Sequence, residues 1–132
     1  MASALATKPR LLIADDHPEL LDEVASLLGA DFELVGKARD GASLLAIAAG
    51  LKPDVVVTDF AMPRVNGIEA GRRLIEQDLC QAVVLLTIYP EPHLIQQALA
   101  AGIRGYVSKV KAGEDLVPAI WEALRGRTFV SS

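Results

Sequence analysis

The sequence predicts an α/β fold: a doubly wound, five-stranded parallel sheet with helices on both faces. Three observations predict it. Five short apolar runs alternate strictly with five stretches of helical character. The runs are continuous rather than alternating, as in strands buried on both faces. The chain is 52% apolar but only 5% aromatic, so its core is Ala, Leu, Val and Ile, which suits close packing of helix on sheet. Strand–helix alternation of this kind argues parallel pairing, and right-handed crossovers leave few topologies. A length of 132 residues suits one domain with a single sizeable core.

Arg10-Leu11-Leu12-Ile13-Ala14 is the first strand, and Asp15-Asp16 stand at its carboxyl end. Pro18 suits the first position of a helix, and Glu19, Asp22 and Glu23 suit its positive end. Leu20, Leu21, Val24, Leu27 and Leu28 share one face, and Gly29 is the expected stop. Phe32 to Ala38 is a weaker strand, followed by an Asp40-Gly41 turn and a short Ala42–Ala49 helix closed by Gly50. Val55-Val56-Val57-Thr58-Asp59 is the third and central strand. Pro63 cannot continue it, and the loop from Phe60 to Asn66 leads through Gly67 into a helix over Ile68–Asp78. Ala82 to Leu86 is a fourth strand ending at Thr87. Pro90-Glu91-Pro92 opens a helix from His93 to about Ala101, with Gly102 as its stop. Gly105-Tyr106-Val107 is the fifth strand, leading to Ser108-Lys109. Glu114 to Arg125 is the last helix, with Pro118 in its first turns.

Thirteen Lys and Arg face 17 Asp and Glu, a net charge of −4. That balance gives no bulk electrostatic reason for direct nucleic-acid or anionic-membrane binding. The single Cys80 excludes an internal disulfide framework and a Cys-based zinc site, and reads as a small half-buried hydrophobe in a reducing compartment. Met1 to Lys8 lacks the apolar core of a signal peptide. No stretch approaches the roughly 20 apolar residues of a membrane helix. A cytoplasmic protein is the expectation.

Four strands end in reactive side chains: Asp15-Asp16, Asp59, Thr87 and Lys109. In a parallel sheet these ends share one edge, where open α/β sheets place their ligands. Like charges about 4 Å apart repel by around 4 kcal/mol at an effective dielectric of 20. Three carboxylates therefore need a cation or a proton. An all-oxygen acidic site suits Mg²⁺ with a phosphate oxygen, and Lys109 would add a second positive charge. An Asp so compensated can attack phosphorus to form an acyl phosphate, with Thr87 and Lys109 as donors to the phosphoryl oxygens.

The ordered set Asp15-Asp16, Asp59 with Met62-Pro63 and Gly67, Thr87, and Gly105-Tyr106-Val107-Ser108-Lys109 resembles a bacterial two-component response-regulator receiver domain over nearly the whole chain. Thr87-Ile88-Tyr89 and Ala98 to Lys109 are similar to receivers that precede a LuxR-type DNA-binding domain. The resemblance implies a flavodoxin-like sheet in strand order 2-1-3-4-5. It also implies a receiver over 10–127, a flexible tail over 1–9, and a C-terminal tail or linker start over 128–132. It makes Asp59 the phosphoacceptor, with Mg²⁺ held by Asp16, Asp59 and the backbone carbonyl of Ala61, and Asp15 acting through water. Thr87 would move toward the phosphoryl group, Lys109 would contact it, and Tyr106 would be the aromatic switch that turns inward. The implied partners are a sensor histidine kinase, a second copy of the chain as a candidate homodimer, and DNA only through an effector domain that has not begun by Ser132. The chain is then a stand-alone receiver or a fragment cut at the linker. Its signalling face would be the helix from His93, the fifth strand and the last helix.

One residue beside the site departs from this pattern. Val110 follows the lysine where many receivers have Pro. His17 and His93 lack a second His or Cys at metal spacing and read as surface or capping residues. Three other functions are weighed. A Mg²⁺-dependent aspartyl phosphohydrolase would want a second acid two residues after its nucleophile, where this chain has Ala61. A flavodoxin-like cofactor binder would want a phosphate cradle in the first turn, where Asp15-Asp16-His17 would repel one. A phosphorylation-independent interaction domain would have no need of the full set of acids, hydroxyl and amine.

Overall fold

The computed structural model describes residues 8–88 and 91–131. Its elements are β1 (Arg10–Ala14), α1 (Pro18–Leu28), β2 (Glu33–Ala38), α2 (Gly41–Leu51), β3 (Val55–Asp59), α3 (Gly67–Glu76), β4 (Ala82–Thr87), α4 (Pro92–Ala100), β5 (Gly105–Ser108), α5 (Ala112–Leu124) and β6 (Phe129–Val130). A 3₁₀ turn over Lys109–Lys111 joins β5 to α5. The sheet runs β2-β1-β3-β4-β5-β6, and every pairing is parallel.

Alternate strand residues feed two separate cores. Leu11, Ile13, Val55, Val57, Val84 and Val107 pack under α1 and α5. Leu12, Val56, Val83, Leu85 and Tyr106 pack under α2, α3 and α4. All five β3 residues are buried, which is why its sequence shows no polar alternation. Burying each of its valines contributes roughly 1.5–3 kcal/mol, so β3 is a rigid mount for the aspartate that ends it.

The sheet has one strand more than the sequence predicts. Phe129–Val130 lies in the stretch expected to be a tail, yet it pairs with β5. β5 would otherwise offer an open edge of backbone donors and acceptors, and the returning chain satisfies them. Helix ends also differ. Gly50 lies inside α2, and Lys52 takes the left-handed conformation at φ 46° instead. Gly29 follows α1 but stays right-handed at φ −64°. α5 begins at Ala112, before the expected Glu114, so Pro118 falls mid-helix. Gly102 does stop α4, at φ +94°.

Candidate functional site

Parallel pairing brings the carboxyl ends of β1, β3, β4 and β5 to one edge of the sheet. Asp59 ends β3 and is 5% exposed. Thr87 ends the neighbouring β4 and is 6% exposed. Thr58 Oγ1 donates to the Asp59 carbonyl at 3.0 Å. Gly67 lies against that same carbonyl: a Cβ there would come within 2.1 Å of the Asp59 oxygen. Glycine is thus required where the loop after β3 closes over Asp59, and the Gly67 N–H donates to Phe60 O at 2.7 Å. Met62 anchors the loop in the core.

Lys109 ties the acids together. Its Nζ stands 3.2 Å from Asp15 Oδ2 and 3.2 Å from Asp59 Oδ1. The other oxygen of Asp15 accepts from the His17 backbone N–H at 2.9 Å and faces His17 Nδ1 at 3.2 Å. Both Asp15 oxygens are therefore occupied by groups of the chain itself. Asp16 differs. Its buried Oδ1 makes no hydrogen bond among the described residues. His17 Nδ1 stands 3.0 Å from it, but without hydrogen-bond geometry. Burial first, then the Asp15 charge, hold the Asp59 carboxyl above the usual carboxylate range; Asp16 adds to this and Lys109 opposes it.

The donor set fits a divalent cation. One ligand atom from each of Asp15, Asp16, His17 and Asp59 lies within 4.8 Å of the others. Three carboxylates and one ammonium leave a formal charge of −2, which one divalent ion cancels. The partnerless Asp16 oxygen is the natural point of attachment. Asp16, Asp59, Ala61, Thr87 and Lys109 line one pocket with His17 and Phe60.

Tyr106 is 1% exposed and already lies in the core beneath α4. The sequence predicts an inward turn of this ring; in this structure it stands inward. Burial raises its ionisation above the usual tyrosine range. Its hydroxyl makes no hydrogen bond among the described residues, although Thr87 and the Glu91 backbone lie close by. Tyr89, part of the run that resembles LuxR-type receivers, lies outside the described residues. Cys80 is buried, and its thiol is pushed up to about 12, as befits a small hydrophobe.

His17 is exposed, as a surface residue is expected to be, but its ring nitrogen also stands beside Asp15 and Asp16, which sequence reasoning did not foresee. It does precede α1, but its side chain makes no capping hydrogen bond. The signal available was adjacency: it directly follows the acid pair at a strand end.

Residues 11–121 match the family model of the response regulator receiver domain. The chain belongs to that family. Among curated relatives, the response regulator GacA of Pseudomonas aeruginosa is 34% identical over 125 residues, 92% of this chain and 58% of the relative. The nitrate/nitrite response regulator protein NarL of Escherichia coli is 32% identical over 123 residues, 92% of this chain and 57% of the relative. The isolated receiver domain of RcsB from Salmonella enterica serovar Typhimurium, with the phosphomimetic BeF₃⁻, superposes with a TM-score of 0.84 at 26% identity. That match covers 96% of this chain and 95% of the other. The chain spans about three fifths of the length of the curated relatives it matches. It is a receiver of the NarL/LuxR type, a signalling domain with the five expected strands in the expected order and a short sixth. Among the described residues no helix is long and apolar enough to cross a membrane.

Proposed function

We propose that this receiver is a phosphorylation-controlled switch in which Asp59 accepts a phosphoryl group. The observation that carries the reading is the Lys109 ammonium held 3.2 Å from both Asp15 and Asp59. A lysine so placed offsets a buried nucleophile and faces the position a new phosphoryl group would take. The donor is a phosphohistidine of a sensor kinase or a small acyl phosphate. An Asp59 carboxylate oxygen bonds to phosphorus, the bond from phosphorus to the leaving group breaks, and the leaving group keeps the electron pair. Asp16, Asp59 and the Ala61 carbonyl would hold Mg²⁺, with Asp15 acting through water because its own oxygens are taken. Bound there, Mg²⁺ neutralises charge on the transferring phosphoryl oxygens.

Thr87, on the strand between Asp59 and Tyr106, then donates to the phosphoryl group. That contact biases the population of Tyr106 toward its inward position and so alters the face formed by α4, β5 and α5. One relative is named the transcriptional regulatory protein DesR of Bacillus subtilis; here DNA would be reached through an effector domain, and a second copy of the chain could share the face. Incubation with acetyl phosphate and Mg²⁺, read by intact mass, tests the assignment. One phosphoryl addition on the wild type and none on Asp59→Asn is expected. Equal labelling of the variant, or no labelling of a folded wild type, rejects it.

A further inference from the structure

β6 leads back to the candidate site. Phe129 N–H donates to Arg104 O and Ser131 N–H to Tyr106 O, each at 2.9 Å. The Ser131 side chain then continues the pairing. Its Oγ accepts from Ser108 N–H at 3.1 Å and donates to Asp115 Oδ2 at 2.8 Å. Ser131 is only 6% exposed, so its hydroxyl is a buried polar group with both roles filled. It joins the last residue of β5 to the first turn of α5.

Ser108 immediately precedes Lys109. The Lys109 side chain is 14% exposed and spans to two carboxylates, Asp59 at the end of β3 and Asp15 just beyond β1. A long side chain holds one reach only if its backbone origin is fixed, because its rotamer entropy otherwise spreads the ammonium over many positions. On the other side the Val110 side chain is 87% exposed, and the backbone is held by the short 3₁₀ turn in which Ala112 N–H donates to Lys109 O. The buried anchor is on the Ser108 side. Without the Ser131 hydroxyl, the buried Ser108 N–H loses its partner and must shift to find another.

We infer that Ser131 is a positioning residue for Lys109, so that the segment after α5 forms part of the phosphoacceptor site. The inference rests on the reading of Asp59 given above. The test uses the full chain as wild type, Ser131→Ala, Ser131→Thr, Lys109→Ala and the double variant. Acetyl-phosphate labelling rates at saturating Mg²⁺ are measured beside hydrogen exchange of the Ser108 amide. Ser131→Ala is expected to slow labelling about fivefold, the scale of one net hydrogen bond, and to speed Ser108 exchange. Ser131→Thr keeps the hydroxyl and should restore both. In the Lys109→Ala background, Ser131→Ala should slow labelling no further, since its effect passes through the lysine. Asp115→Ala frees the same hydroxyl from α5 and provides the reading if Ser131→Ala does not fold; its loss should likewise vanish without Lys109. An unchanged rate in Ser131→Ala, or full additivity with Lys109→Ala, overturns the inference while wild-type labelling stands. A wild type that takes no phosphoryl group overturns the Asp59 reading and this inference together.

Discussion

Asp59→Asn should make the protein more stable at neutral pH. Lys109 Nζ at 3.2 Å from Asp59 is worth about 5 kcal/mol of attraction at an effective dielectric of 20. Asp15 and Asp16 each place an oxygen within 4.8 Å of Asp59, about 3.5 kcal/mol of repulsion apiece at that outer distance. The two repulsions exceed the attraction by about 2 kcal/mol, and burial adds to the cost of the charge. The direction agrees with the raised Asp59 pKa, whose first cause is burial. A carboxyl with a raised folded pKa contributes its full stability only below its unfolded pKa, and that contribution is lost as pH rises through the folded value. The asparagine avoids this loss, so its advantage of about 2 kcal/mol, or about 6 °C in Tm, belongs to neutral pH. Urea unfolding of both proteins in chelator, from pH 7 down to pH 4, should show the gap closing as Asp59 protonates. Added Mg²⁺ should stabilise the wild type more than the variant. A variant no more stable than wild type at pH 7, or a gap indifferent to pH, would refute the electrostatic account.

Two further substitutions probe the frame around the site. Gly67→Ala drives a methyl group to within 2.1 Å of the Asp59 carbonyl oxygen, backbone that cannot swing aside. A loss of about 1–3 kcal/mol in thermal unfolding is expected, with slower phosphoryl labelling because Asp59 itself is displaced. Pro118→Ala restores an N–H to the middle of α5 at an exposed position. A gain of about 1–2 kcal/mol in unfolding free energy is expected, the restored helix bond exceeding the freedom returned to the unfolded chain.

The strands were legible because their signal is local. β3 is Val-Val-Val-Thr-Asp whether read as a run of letters or as five buried residues. The acids, Thr87 and Lys109 could be gathered onto one edge because parallel topology alone orders strand ends. Helix ends were less legible: a glycine permits a left-handed stop without enforcing it, so Gly50 stayed helical while Lys52 turned. β6 was invisible for a different reason. Two residues carry no periodicity, and what makes them a strand is the free edge of β5, a partner distant in the chain. The His17 ring is a similar case, since its place depends on where Asp15 and Asp16 point rather than on its own spacing.

The two rims of the sheet have a consequence for crowding. An open strand edge is a template for another chain. At one rim β6 is only two residues long, and Ser131 beyond it turns its hydroxyl back into the molecule. At the other rim β2 carries Glu33 and Lys37, and Lys37 pairs with Asp22 at 2.9 Å. Among the described residues, neither rim offers a long, flat, uncharged ledge on which copies could stack strand to strand. Edgewise pairing of copies is thereby disfavoured, and the helical surfaces are left as the ground for reversible contact.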